Sequence, residues 1–412
     1  MAEEQDYNQK WVAILDLTIT NFDGVTIDLM PFFLTIDIQE DLFVPVASGN
    51  IKLIDSSNLY ENLPIIGEES ITIKYKDFNG DAVTRKFSVY SVSARERSTE
   101  RGSVYVLDFC SPELLSNRNT KYSKSYKNKE VYKIFEDAIN KTETEKTLNI
   151  ENTVGIQSFI ASNMYPFDVC SQMASRAISS KGSKGSYLFF EDFEKFNFIS
   201  IESLIEADPI KYYVGDASLA SSKGAMYIFT NYRFQEPVNN IKRKMSGAQG
   251  VEVKTLDLLN RKIVDNSYDH YDDKSYSKIN RVNSSNPDLK TTSTKYKYKS
   301  KQGLTKLVVK GADENFNSMK NDVLGVRYNV FSSYMNGPKL HAEIPFNARL
   351  TIGMMIDVTI PQQDPLEESD VPEDDKYIQG KYLITALRHI ITPDHAETII
   401  ELAKDTYNKV HG

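Results

Sequence analysis

Two cysteines, Cys110 and Cys170, are all that a chain of 412 residues offers for cross-linking. Both sit among apolar neighbours in segments that read as regular structure, so buried free thiols in a reducing compartment are expected. The five histidines (His270, His341, His389, His395, His411) show no mutual metal-ligand spacing, and no Cys-x-x-Cys supports them. His389 and His395 flank the last hairpin, where turn or surface roles are expected. Asp269-His270-Tyr271-Asp272-Asp273 carries oxygen donors but lacks the glycine and terminal glutamate of an EF-hand loop. No apolar run approaches the length of a membrane span, and Met1-Ala2-Glu3-Glu4-Gln5-Asp6 is acidic and polar. Neither a span nor an ordinary secretory signal is therefore expected. Excess positive charge is missing too. A formal net charge of −8 argues against a sequence-independent grip on DNA, which needs clustered cations.

Catalytic signatures are equally scarce. There is no Gly-x-Ser-x-Gly elbow, and no histidine is placed to activate a serine or cysteine. Lys181-Gly182-Ser183-Lys184-Gly185-Ser186 superficially resembles a phosphate-binding loop, but its glycines have the wrong spacing and follow a helix, so a hairpin connector is expected. The stretch Arg118 to Lys129 interleaves cations with Tyr122 and Tyr126 and is the best case for nucleic-acid contact. Its charges are evenly spread ahead of a helix, which favours a solvated connector or a subunit contact.

What the chain does have is one strand pattern written twice. Near the N-terminus, Ile71-Thr72-Ile73 leads to Lys86-Phe87-Ser88-Val89-Tyr90-Ser91-Val92, a polar turn, and Ser103-Val104-Tyr105-Val106-Leu107. Near the C-terminus, Met355-Ile356-Asp357-Val358 leads to Lys381-Tyr382-Leu383-Ile384-Thr385-Ala386-Leu387, a turn of similar length, and Thr398-Ile399-Ile400-Glu401-Leu402. From Lys86 and Lys381 onward the copies align without a gap. The fold class expected is α+β, mostly β, with two β units of barrel or sandwich type related by internal duplication and an α+β insert between them.

Residues 1–113 read as the first β unit, with period-two alternation in Leu34 to Ile38 and Gly49 to Ile54. Val104 to Phe109 is apolar on both faces, as in a strand covered on both sides. Residues 114–210 form the insert with two amphipathic helices. In Lys129 to Asn140 the apolar stripe is Val131, Ile134, Phe135, Ala138 and Ile139. In the other helix Pro166 takes a first helical position, and Phe167, Cys170, Met173, Ala174 and Ala177 form the buried side. Tyr187 to Phe190 and Phe196 to Ile201 read as a hairpin. Residues 211–335 are mixed, with a strand near Met226 to Thr230, surface loops from Asp265 to Ser300, and a helix over Asn315 to Tyr334. Residues 336–412 form the second β unit. Its insertion, 362–376, carries Asp364, Glu367, Glu368, Asp370, Glu373, Asp374 and Asp375. By default such a run of acids is a solvated loop.

These segments, in order, carry a family likeness. Gly49-x-Ile51-x-Leu53-x-Asp55 is followed by Glu69-Ser70-Ile71-Thr72-Ile73, the Phe87 to Asp108 hairpin, the helix after a Lys/Tyr/Ser connector, and Tyr187 to Asp192. Ile352 to Val358, Gly380 to Ile384 and His389 complete it. The chain resembles the central baseplate hub protein of contractile-tailed bacteriophages of the T-even type. The resemblance implies two tail-tube-like β domains per subunit and a homotrimer forming a pseudo-sixfold ring. It implies as partners the tail tube or its initiator, a separate central spike, the tape-measure protein and the baseplate wedges. It also implies a place in the virion tail after assembly in host cytoplasm, with no cofactor, no metal and no sequence-specific nucleic-acid binding. Two rival readings are a cell-envelope-degrading tail enzyme, whose carboxylate pair only three-dimensional structure would reveal, and a nucleic-acid-binding module.

Overall fold

A computed structural model describes residues 14–55, 65–76, 82–99, 102–181, 185–214, 227–236, 240–247, 251–258, 260–268, 304–310, 321–361, 375 and 378–405. The chain opens with β1 (Ile14–Thr20), β2 (Thr26–Asp28), β3 (Phe33–Asp41), β4 (Ser48–Asp55), β5 (Ser70–Lys76), β6 (Ala82–Thr99) and β7 (Gly102–Cys110). The insert follows with α1 (Pro112–Asn119), β8 (Tyr122–Glu130), α2 (Val131–Ile139), β9 (Thr147–Ile150), β10 (Ile156–Met164), α3 (Pro166–Arg176), β11 (Tyr187–Glu191), β12 (Lys195–Ser200) and α4 (Ile201–Leu204). The remainder comprises β13 (Ile210–Val214), β14 (Ile228–Phe229), β15 (Asn231–Glu236), α5 (Asn240–Ser246), β16 (Val251–Asp257), β17 (Lys262–Tyr268), β18 (Leu304–Lys310), α6 (Asn321–Met335), β19 (Lys339–Pro345), β20 (Met355–Thr359), β21 (Gly380–Ile391) and β22 (Ala396–Ala403).

The duplication extends well beyond the three strands visible in sequence. In the first module the strand order is β3-β4-β7-β6-β5-β1-β2; in the second it is β15-β19-β22-β21-β20-β13-β14. Each strand of one order corresponds to a strand of the other. Registers agree residue by residue: Ser88 opposes Cys110 as Leu383 opposes Ala403, and Ile71 opposes Phe87 as Ile356 opposes Tyr382. Both central strands also carry a β-bulge at the same place, Tyr90 in β6 and Thr385 in β21. A bulge re-aims the strand that bears it, so two at one position impose the same bend on both modules.

The copies diverge at their ends and connections. β1 runs antiparallel to β5, whereas β13 runs parallel to β20, because β13 arrives from the insert rather than from the chain start. The β3–β4 link is the short Leu42 to Ala47, while the β15–β19 link holds the sheet β17-β16-β18 together with α5 and α6. No closed barrel forms among the described residues. The two modules share one 14-stranded sheet, joined where β21 pairs antiparallel with β3. Each module nevertheless curls round a core of its own: β1 and β3, well apart in the first strand order, contribute Ile19 and Ile36 to one cluster with Phe87, Tyr105 and Phe109.

Alternation explains these cores. In β4 and β5 every second residue (Ile51, Leu53; Ile71, Ile73, Tyr75) is buried and its neighbours are not, the period-two signature of a sheet with one covered face. β7 follows suit with Tyr105, Leu107 and Phe109 fully buried, while Val104 and Val106 remain half-buried. Its second face is thus less covered than its composition suggests. In the insert, α2 and α3 bury the stripes expected of them against the β11·β12 hairpin, where Phe135 stacks on Phe198 at 4.2 Å.

Arg118 to Lys129 is not a connector. Tyr122 to Glu130 forms β8, paired antiparallel with β10. Alternation decides it: Tyr126 is buried against Phe159, and its hydroxyl donates to Asp137 at 2.6 Å. Lys124 pairs with the same carboxylate at 2.7 Å, and Arg118 and Lys121 lie over the Tyr165 ring. Four of the cations and aromatics suited to a nucleic acid are thus occupied within the protein.

Candidate functional site

The internal junction between the two modules holds a cluster of buried ionisable side chains: Asp37, Glu40, Arg85 and His389. β21 and β3 pair over six residues, from Ala386↔Asp41 to Ile391↔Ile36. Across that seam Arg388 on β21 donates to both carboxylate oxygens of Asp37 on β3, through Nε at 2.9–3.0 Å and Nη2 at 2.5 Å. This fork-on-fork geometry fixes register as well as distance. The Asp37 side chain is only 7% exposed, whereas that of Arg388 is 48% exposed, so the pair seals the rim of the seam.

Beneath it lies a second pair. Arg85 Nη1 meets Glu40 Oε1 at 2.6 Å with side-chain exposures of 4% and 1%. The other Glu40 oxygen accepts a 3.3 Å hydrogen bond from Thr351 of the second module. Burial pushes the Glu40 carboxyl up from its ordinary range against the pull of Arg85, while Glu40 keeps the buried guanidinium protonated. His389 completes the group. Its Nδ1 lies 2.9 Å from Thr398 Oγ1, and its ring packs edge-on against Phe346, which in turn meets Tyr75 of the first module. Burial, reinforced by Arg85, pushes His389 down to about 3, so the ring is neutral at physiological pH.

His389 is therefore not the turn or surface residue expected. It is 2% exposed near the end of β21, because Leu387, His389 and Ile391 share the inward face of that strand. His395 does occupy the turn, with its side chain exposed. The modules also trade core residues across the seam: Leu42 joins the second core, and Ala348 and Ile391 join the first. Within the first module, Gly49 permits a close approach of β4 to β3 and to the Phe109 ring. A Cβ there would lie 2.1 Å from the Asp37 carbonyl oxygen and 2.7 Å from the Phe109 ring.

A cleft of about 430 Å³ lies where the insert meets the first module. Glu191 at its wall is 2% exposed and accepts from the Ala47 N–H at 3.1 Å, Ser111 Oγ at 2.7 Å and Lys146 Nζ at 2.7 Å. Lys146 also reaches Glu113 at 2.9 Å. Burial raises the Glu191 carboxyl, and Lys146 offsets part of that rise. Glu113 and Glu191 thus share one cation, an arrangement that clamps insert to module. Arg327 of α6 also ties to the insert, donating to the Ala174 and Tyr187 carbonyls.

Cys110 and Cys170 are buried free thiols, as expected. Among the described residues, no group of three or more His, Cys, Asp or Glu is placed to hold a metal ion. No helix there is long and apolar enough to cross a membrane. Asp364, Glu367, Glu368, Asp370, Glu373 and Asp374 lie outside the described residues, as do Asp269 to Asp273, His411 and Gly182 to Lys184. Asp375 is described: its N–H donates to the Ile360 carbonyl at 2.7 Å, and its carboxylate accepts from the Ile378 N–H at 2.9 Å. That anchors the end of the acidic insertion to the second module.

This fold is similar to that of two phage tail proteins of known structure. The 43 kDa tail protein of prophage MuSo2 from Shewanella oneidensis superposes with a TM-score of 0.57 at 9% identity, over 95% of this chain and 99% of that one. The tail protein from Neisseria meningitidis MC58 superposes with a TM-score of 0.57 at 10% identity, over 95% of this chain and 96% of that one. Likeness at such low identity establishes a shared fold. No family model matches the chain, and no curated protein matches it by sequence.

Proposed function

We propose that the chain is a structural hub of a phage tail baseplate, three copies of which form a pseudo-sixfold ring. The observation that carries this reading is the repeated strand order, joined end to end inside one chain. A polypeptide that already contains two like modules side by side supplies two of six ring positions, so a threefold assembly of it imitates a sixfold one. One face of such a ring matches a sixfold tail tube, and the other matches a threefold spike made of separate chains. The tape-measure protein and the baseplate wedges are the remaining partners of this reading. Its units are residues 1–113, 114–210, 211–335 and 336–412, with the second β module drawing its strands β13 to β15 from Ile210 to Glu236, across the start of the third of these.

The role proposed is passive. The ring surrounds a channel for DNA, and a chain with a net charge of −8 suits a wall that nucleic acid passes without sticking. The acidic insertion, from Asp364 to Asp375, is assigned to the ring mouth in this reading. The carboxylates that meet in the insert cleft, Glu113 and Glu191, hold Lys146 between them, which suits packing better than acid–base work on an envelope polymer. Light scattering on the purified chain, alone and mixed with a candidate spike, tests the proposal. Three chains per particle in either sample is the expected mass; a monomer in both overturns it.

A further inference from the structure

Among the described residues, the internal junction has a counterpart in two strand edges that meet no strand. Strand β21 uses its outer edge twice: Gly380 to Leu383 pair with β20, and Ala386 to Ile391 pair with β3. Its equivalent β6 pairs with β5 from Ala82 to Ser88, but beyond Ser88 that same edge meets no strand among the described residues. Strand β15, the equivalent of β3, pairs with β19 alone among the described residues. Burial records the missing neighbour. In β3, Ile36, Asp37 and Ile38 are 0%, 5% and 0% exposed. Their register counterparts Tyr232, Arg233 and Phe234 are half-buried, exposed and half-buried. Likewise Leu387 is 2% exposed, while its counterpart Val92 is only half-buried.

We propose that β15 of one copy of this chain pairs antiparallel with the β6 edge, Ser91 to Thr99, of a second copy, reproducing the β3·β21 seam between chains. The lengths fit, since β15 has six residues and the internal seam has six register pairs. Two edges of one molecule that are unpaired among the described residues, each complementary to the other, make a head-to-tail contact. Such a contact closes into a ring and removes both edges. By equivalence with Arg388↔Gln39, Ser93 of one copy opposes Glu236 of the next. The ion pair is not repeated, for Arg233 stands where Asp37 does and Ser93 stands where Arg388 does. The seam between chains thus rests on backbone hydrogen bonds and on apolar cover for Tyr232, Phe234 and Val92, and it is the more easily opened of the two. This deepens the ring reading and rests on it.

Hydrogen exchange on the unmodified chain, read by mass spectrometry in oligomeric and diluted monomeric samples, is the test. Amides of Ser91 to Thr99 and Asn231 to Glu236 should slow at least about tenfold in the oligomer, as buried ladder amides do. In parallel, S93C with E236C should give a covalent ladder of chains on oxidation that neither single variant gives. An oligomer whose two segments exchange as fast as in the monomer, with no ladder, overturns this seam and leaves the ring reading standing. A chain that is monomeric at every concentration and with a candidate spike removes the ring reading, and the seam with it.

Discussion

Replacing Arg85 by methionine isolates the energetics of the buried pair under the junction. The methionine fills much of the arginine volume but leaves Glu40, whose side chain is 1% exposed, with Thr351 as its remaining hydrogen-bond donor across the seam. Removing one member of a buried pair typically costs about 3–5 kcal/mol, because the survivor keeps its desolvation penalty without its partner. Burial already raises the Glu40 carboxyl in the presence of Arg85, and without Arg85 it rises further. A carboxyl whose folded pKa exceeds its unfolded one costs stability as pH climbs above the unfolded value. The destabilisation should therefore be largest near neutral pH and shrink toward pH 5. Urea denaturation followed by fluorescence, with Arg85→Met, Glu40→Leu and the double variant as a cycle, measures it. The double variant, which removes both members of the pair, should recover most of the loss. An Arg85→Met cost below about 1 kcal/mol at pH 7, or a double variant as unstable as the single, would refute the reasoning.

Two further expectations concern the same seam. His389 titrates near 3 when folded against an ordinary value of 6.5, so the unfolded chain binds the extra proton between those values. Stability should fall as pH drops through that window, by roughly 3–5 kcal/mol from this group alone. Stability measured against pH in His389→Gln should lose that part of the acid slope, and an unchanged slope would exclude His389 as its source. Gly49→Ala places a methyl against the Asp37 carbonyl oxygen and the Phe109 ring, pushing β3 from β4. A loss of about 1–3 kcal/mol is expected from overpacking of this kind, read as a lowered melting temperature; an unshifted melt would show that the close approach is not required.

The strands were legible where alternation was strong. Ile71 and Ile73, or Ile356 and Val358, mark buried faces directly, and the ungapped match from Lys86 and Lys381 extends through bulges at Tyr90 and Thr385. Strand β8 was missed because its inward residues Tyr122, Lys124 and Tyr126 are amphipathic, so the period-two pattern lacks aliphatic contrast. His389 misled by its position near a hairpin, although its i±2 neighbours Leu387 and Ile391 already placed it on the inward face. The junction itself was out of reach: Asp37 and Arg388 stand 351 residues apart, and no local spacing encodes their meeting. Nor does local sequence reveal that β13 enters parallel to β20, since that direction is set by where the insert releases the chain.

Averaged end-on electron micrographs of the assembled particle, with the number of chains fixed independently by mass, bear most directly on how this protein is used. Six lobes of similar outline round a central opening, from three polypeptides, are the expected image. Three lobes, six polypeptides, or lobes of alternating unlike shape would mean that the second module does not stand in for the first.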